Sequence, residues 1–384
     1  MISRQSVAGG RFPAKRLGEV VEFLDNLRRP VTESERIEGP FPYYGANGLQ
    51  GKIHSFIFDE PLVLLAEDGG HFENPARGIA YRISGKTWVN NHAHILRPKS
   101  NLDIGYLCRV LENYDVTPFV TGTTRGKLTK ARAAEIPIPL PPLAEQRRIA
   151  AILDKADALR TKRREALAQL DRLAQAIFVE MFGDPVTGPK NCSRKKLADC
   201  VARLEYGPRF YDEAYSAEGV RIVRITDLDQ GGALNFEAMP RMALDKRTIE
   251  RFALQPGDIV FARTGATVGK VALLRDTDPV CIAGAYFIRL RFDDSVLPLY
   301  AASVLRAKSV QELIANQSRQ AAQQNFSGPG LRALPMPVPP ISAQQAYANR
   351  VEKILVERQR LNASLTEMGL LFSSLQHRAF QDAL

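Results

Sequence analysis

Ile136-Pro137-Ile138-Pro139-Leu140-Pro141-Pro142-Leu143-Ala144-Glu145-Gln146 returns far along the chain as Leu334-Pro335-Met336-Pro337-Val338-Pro339-Pro340-Ile341-Ser342-Ala343-Gln344. Each copy contains a proline pair, Pro141-Pro142 and Pro339-Pro340, which suits the mouth of a helix because the first turn has no use for the missing amide hydrogen. A long helical pattern follows each copy. After the first, Ile149, Ile152, Leu153, Ala156, Leu159, Ala166, Leu167, Leu170, Leu173, Ala174, Ile177 and Met181 recur in steps of three and four, as in a heptad seam. After the second, Tyr347, Val351, Ile354, Leu361, Leu365, Met368, Phe372 and Leu375 keep the rhythm. Arg160, Arg163 and Arg358 interrupt these seams, and Gly183-Asp184-Pro185 closes the first helix. About 40 residues rising 1.5 Å each make a rod of roughly 60 Å. Such a seam needs a partner, and the other helix of the same chain is the economical one. Connectivity favours an antiparallel pair: a globular unit that leaves the end of the first helix must return to the start of the second, which sets two globular units at opposite ends of the rod.

Those units are the stretches ahead of each proline run. In the first, Leu62-Val63-Leu64-Leu65 and Ile95-Leu96 read as strands among the turns Gly45-Ala46-Asn47-Gly48, Asp68-Gly69-Gly70 and Ser84-Gly85. In the second, Val220 to Ile225 alternates like a half-buried strand, Gly257-Asp258 feeds the strand Ile259-Val260-Phe261, and Val271 to Leu274 is another. The expected division is 1–140 and 185–338 for the globular units, with helices over 141–184 and 339–384. The fold class is α+β: two pseudo-repeated mixed α/β units separated by two long antiparallel coiled-coil helices.

A chain of 384 residues has room for two cores. No apolar run approaches the ~20 residues of a membrane span, and the polar, basic start from Met1 to Arg16 has no apolar stretch of the secretory kind. Cys108, Cys192, Cys200 and Cys281 form no metal-type pair and read as reduced thiols. The net charge of +10 suits a polyanionic partner. Catalytic patterns are not persuasive. Gly265 to Lys270 is glycine-rich but wrongly spaced for a nucleotide phosphate loop, and reads as a turn or a DNA-phosphate contact. Asn74-Pro75-Ala76-Arg77 imitates an adenine-methylation motif poorly. His92 and His94 would share a strand face; packed or hydrogen-bonded histidines are the safer reading over a metal site.

Three signatures carry a family resemblance. One is the helix mouth Pro141 to Gln146 with its degenerate second copy, in which Ala343 stands for Glu145. The next is the helix exit from Leu173 to Pro185, Leu-Ala-Gln-Ala-Ile-Phe-Val-Glu-Met-Phe-Gly-Asp-Pro. The last is a pair of globular patterns: Tyr43-Tyr44-Gly45-Ala46-Asn47-Gly48 with Leu64 to Gly70, and Arg221 to Asp227 with Gly257 to Lys270. Together they cover nearly the whole chain, which resembles the specificity subunit of a type I restriction–modification system. The resemblance implies two target recognition domains, each reading half of a split, asymmetric double-stranded DNA sequence, with the helices as a ruler for the unread spacer. It implies docking of two methyltransferase subunits, which carry S-adenosylmethionine and methylate adenine at N6, and of a motor–nuclease subunit using ATP and Mg. It implies no catalysis and no cofactor in this chain, and a prokaryotic cytoplasmic setting.

A DNA reader needs Lys and Arg on phosphates, and Arg, Asn and Gln on base edges. Polar loops, Thr121 to Lys130 and Gln317 to Ser327, fall at matching distances before the two proline runs. The DNA-facing residues expected are Arg125, Lys127, Lys130 and Asn47 in the first unit, and Arg221, Arg263, Lys270, Arg319, Gln320, Gln323 and Asn325 in the second. Tyr43 and Tyr44 read as braces. Arg221 and Arg224 would point to different faces of a regular strand. Residues expected to face partner subunits are Glu145, Gln146, Ile149, Leu153, Leu170, Ile177, Gln344, Val351, Leu365 and Phe372. Two other readings remain: a stand-alone nucleic-acid-binding coiled-coil scaffold, and an enzyme in which Glu67, Asp68 and Lys86 form a nuclease-like set.

Overall fold

The structure is a computed structural model that describes residues 12–74, 77–122, 126–190, 192–210, 214–229, 231–319 and 325–381. By internal contacts the chain forms two compact units. One runs up to Arg164 and resumes at Asn362; the other is Glu165–Leu361. The long helices are Leu143–Phe182 and Ile341–Gln381, so each gives one half to each unit. The units run through the four segments expected from sequence, because each core is built from globular and helical side chains together.

In the first unit a four-stranded antiparallel sheet has the order Val21–Phe23, Ala93–Pro98, Leu62–Ala66, Ala80–Ile83. The inner strand Leu62–Ala66 is buried throughout, which explains its unbroken apolar run. A second sheet pairs the hairpin Phe41–Gly45 and Gly48–Ile53 with Lys86–Val89, the latter parallel to Phe41–Gly45. Gly48 closes that hairpin at φ 106°, a backbone that suits glycine.

The second unit repeats this plan. Val201–Tyr206, Phe287–Phe292, Ile259–Ala262 and Val271–Leu273 form the antiparallel sheet in the corresponding order. Arg241–Met242, Val220–Val223 and Cys281–Ala283 form the second, with one antiparallel and one parallel pairing; the first unit's second sheet carries a further antiparallel strand, Phe58–Asp59, on Lys86–Val89. The strand expected over Val220 to Ile225 stops at Val223. Arg224 then donates through its amide, Nε and Nη2 to Asp227, which turns the chain into a single 3-10 turn.

The proline runs are more than helix mouths. Pro137–Pro139 pairs antiparallel with Ala14–Arg16, and Pro335–Val338 with Ser193–Lys196. Alternating prolines suit a two-stranded edge, where only every other residue needs an amide hydrogen. Tyr106 Oη donates to the Pro139 carbonyl at 3.0 Å, and Tyr300 Oη to that of Pro337 at 2.8 Å.

Just past each run sits a wholly buried glutamine. Gln146 accepts from the Asp103 amide at 2.8 Å and donates to the carbonyls of Asn101 at 3.0 Å and Pro141 at 2.9 Å. Gln344 accepts from the Leu297 amide at 2.8 Å and donates to Ser295 and Pro339 at 2.9 Å each. Both therefore bind their helix to the adjacent globular residues. The partner-facing role expected for them is corrected: their polar atoms are used inside the unit.

The helix halves meet antiparallel within each unit. In the first, Ile149, Ala150 and Leu153 at the start of one helix share a core with Phe372, Ala379 and Phe380 near the end of the other. In the second, Phe178 and Phe182 at the end of one helix pack with Tyr347 and Val351 near the start of the other. There Phe178, Phe182, Tyr300 and Tyr347 form an aromatic quartet with ring centroids 5.0–6.4 Å apart. Two of the arginines that interrupt the seam, Arg160 and Arg358, have partners within their own units. Arg160 lies 4.5 Å over the Phe372 ring, and Arg358 pairs with Asp171 at 3.3 Å and Asp229 at 3.6 Å. The seam is less apolar than the heptads suggest, since Leu159 and Leu173 remain half exposed.

Replacing a buried glutamine by leucine strands one amide and two carbonyls, at about 1–3 kcal/mol for each unsatisfied group. Gln146→Leu is expected to speed hydrogen–deuterium exchange across Asn101–Asp103 and the start of Leu143–Phe182, and Gln344→Leu across Ser295–Leu297 and the start of Ile341–Gln381. Mass spectrometry of the exchanged peptides checks this. Unchanged protection in both variants would show that these bonds do not hold the helices.

Candidate nucleic-acid interface

Where the inner strands Leu62–Ala66 and Ile259–Ala262 end, the chain turns a corner against the loop that precedes the proline run. Four contacts recur there. The Glu67 amide donates to His92 O at 2.9 Å, and the Arg263 amide to Tyr286 O at 3.0 Å. The Leu128 amide donates to Glu67 O, and the Phe326 amide to Arg263 O, both at 2.7 Å. Asp68 bridges to Lys127 as Thr264 does to Asn325. Thr129 and Ser327 each cap the short helix that follows. Glu67, Asp68, His92, Lys127 and Leu128 thus occupy the same positions as Arg263, Thr264, Tyr286, Asn325 and Phe326. Sheet register extends the match: Phe23 lies opposite Leu96 and Leu204 opposite Leu290, which sets Asp25 against Tyr206.

The backbone is shared and the chemistry is not. In the first unit the corner is ionic. Buried His94 presents Nδ1 to Asp25 and Nε2 to the Leu128 carbonyl, each at 2.7 Å. Both ring nitrogens are therefore engaged within the unit. Arg28 binds Glu67 and approaches Asp25 at 3.7 Å, and Lys127 reaches Glu67 at 3.1 Å. Asp25, Glu67 and His94 offer ligand atoms within 4.8 Å of one another. With Arg28 and Lys127 on the carboxylates and both histidine nitrogens engaged, an ion-pair network describes this set better than a metal site. His92 precedes the strand rather than sharing a face with His94, and binds Asp68 at 2.6 Å. Lys86 lies over the Phe56 ring on the other sheet, which separates it from the nuclease-like set considered above.

In the second unit the corner is aromatic and cationic. The Arg263 guanidinium lies 4.7 Å over the Tyr206 ring, and the Tyr206 hydroxyl accepts from the Gly328 amide at 3.0 Å. A Cβ at residue 328 would stand 2.6 Å from that hydroxyl, so glycine is what admits the tyrosine. Asn325 is exposed beside it.

The other expected contacts scatter. Lys130 is exposed, with Nζ 5.5 Å from the Phe23 ring centroid, and Asn47 is exposed but donates to Gly69 O at 2.9 Å. Arg221 donates to Phe236 O at 3.2 Å and Lys270 to Leu228 O at 3.4 Å, so both brace local backbone. Gly265–Thr267 is a plain 3-10 turn. Arg125, Gln320 and Gln323 lie outside the described residues, and Arg319 is described only as the end of the helix Lys308–Arg319. Among the expected partner-facing residues, Ile149, Leu153, Val351 and Phe372 are buried in their own units. Leu170, Ile177 and Leu365 are part-buried, and Glu145 pairs with Arg148 at 2.9 Å. Sequence reasoning missed the exposed Leu370, Leu371, Val356 and Val179, which fall off the seam that the heptad search follows.

The model of the type I restriction modification DNA specificity domain matches residues 12–170. A Haemophilus influenzae chain assigned as a type I restriction enzyme specificity subunit is 41% identical over 152 residues, 39% of each chain. The MjaVIII specificity subunit of Methanocaldococcus jannaschii is 23% identical, with 90% of this chain and 87% of that one covered. In fold, the chain is similar to the type I S subunit of M. genitalium, with a TM-score of 0.59 and 14% identity over 98% of this chain and 97% of that one.

Burial raises the Asp25 and Glu67 carboxyls, but the hydrogen bonds and charges of His94, Arg28 and Lys127 outweigh it and hold both below their ordinary range. A carboxyl depressed in the folded state stabilises above its unfolded value of about 4, and that contribution is lost as pH falls through the lower folded value. Asp25→Asn should therefore destabilise the first unit at pH 7 by about 3 kcal/mol. It should also flatten the loss of stability below about pH 4. Urea unfolding across pH measures both; a variant with the parent's acid slope would contradict the assignment.

Proposed function

Because this chain belongs to the type I restriction–modification specificity subunits, we propose that it reads a bipartite, asymmetric double-stranded DNA target and directs adenine-N6 methylation and restriction by partner subunits. As a specificity subunit it is non-catalytic. The observation that carries the fuller reading is the pair of matched corners: one backbone frame, made twice, with different side chains where a DNA edge would be read. A symmetric target would call for like chemistry at both corners; Glu67 with Asp68 against Arg263 with Thr264 suits two unlike half-sites.

Affinity comes from the basic surface, +10 overall, which gains by releasing the counterions of the duplex. Specificity comes from polar side chains that meet base edges, which differ between the two units. The helices act as a ruler: their 40 and 41 residues set how much unread duplex lies between the half-sites. Leu159, Leu173, Val179, Val356, Leu370 and Leu371 leave apolar surface on the helices. That surface suits two methyltransferase subunits, which supply S-adenosylmethionine and the methyl transfer; the motor–nuclease subunit supplies ATP- and Mg-dependent cleavage.

Modification-sensitive long-read sequencing of DNA from cells co-expressing this chain with its methyltransferase subunit tests the reading. N6-methyladenine in one split motif, absent without this chain, is the expected result. Soluble chain with no motif and no association with the methyltransferase would favour a stand-alone nucleic-acid-binding scaffold. The ruler makes its own prediction. Inserting the same few residues in both helices, as whole turns, should lengthen the spacer and leave both half-sites intact; an unchanged spacer would refute it.

A further inference from the structure

Arg263 differs from the charged groups at the matching corner. Glu67, its counterpart, is neutralised by Arg28 and Lys127. Arg263 stands part-buried with its guanidinium over Tyr206, and its Nε is buried with no hydrogen-bond partner among the described residues. Its backbone is fixed on both sides, by the Tyr286 carbonyl and the Phe326 amide. Its platform is fixed too, since the Tyr206 hydroxyl is held by the Gly328 amide. The result is a planar cation with one edge turned inward, a rigid support and its two terminal nitrogens uncommitted among the described residues.

A phosphate contact needs only charge, and a mobile lysine supplies it. A pre-oriented fork is worth more against a planar pair of acceptors, where little side-chain freedom is left to lose. In a DNA groove that pair is the O6 and N7 of guanine, which arginine meets bidentately in the major groove. Resting on the DNA-specificity reading above, we propose that Arg263, supported by Tyr206, selects a guanine at one position of the half-site read by the second unit. The first unit, with Glu67 at the matching position, makes no such selection through that residue.

The test uses the chain assembled with its methyltransferase subunits and a panel of duplexes carrying each base at each position of the target. The parent complex is expected to require guanine at one position of one half-site. Arg263→Gln should cut methylation of the guanine duplex there by about ten- to a hundredfold and shift preference toward adenine, with the other half-site unchanged. Tyr206→Leu, which keeps the arginine but removes its support, should relax the same position by less; it decides the matter should the first variant fail to assemble. An unaltered base preference at every position would overturn the proposal. So would equal weakening on all duplexes with a shallower salt dependence, the mark of a phosphate contact. A split motif with no guanine in the second unit's half-site would sink the Arg263 assignment and leave the specificity reading standing. No split motif from the parent complex would sink both.

Discussion

Two buried glutamines hold this architecture together. A long helix with a weak seam does not by itself determine which way a globular unit faces. Gln146 and Gln344 determine it by binding, at the mouth of each helix, one amide and two carbonyls from the loop and the proline run. A buried amide side chain is costly unless every group is satisfied, and satisfied it admits one geometry. Tyr106 and Tyr300 repeat the message by reaching the proline-run carbonyls. The reader is thereby clamped to its helix, and whatever the reader contacts has a defined position along it.

With the frame held so firmly, the corner residues differ. Asp25 and Tyr206, Glu67 and Arg263, Lys127 and Asn325 occupy equivalent backbone positions and share no chemistry. Main-chain hydrogen bonds maintain the corner in both units, so two different sets of side chains fit one frame. That is the arrangement a protein needs if its scaffold must stay constant while its recognition diverges.

The helices were legible because their signals are local: prolines at the mouth, three-and-four spacing, and a Gly-Asp-Pro close that Gly183 makes at φ 71°. The mixed α/β character of the units was legible for similar reasons. Their equivalence was not, since it is carried by backbone pairing while the side chains that a reader compares have diverged. The proline runs concealed a strand because proline argues against sheets unless only one edge is paired. Gln146 and Gln344 were misread as partner-facing because a polar residue in a repeated motif looks like surface; only the carbonyls and amides around them show otherwise. Of the site, Arg263 and Asn325 could be named from sequence, but nothing in it pointed to Tyr206 as the support or to Gly328 as its anchor.

The central claim is that one chain carries two separate readers on one frame. The most direct measurement is a base-by-base substitution scan of the target duplex, with initial methylation rate by the assembled complex as the readout. The account predicts two clusters of positions that tolerate no change, separated by a segment indifferent to base identity but sensitive to length. A single continuous block of required bases, or a gap whose length can vary freely, would contradict it.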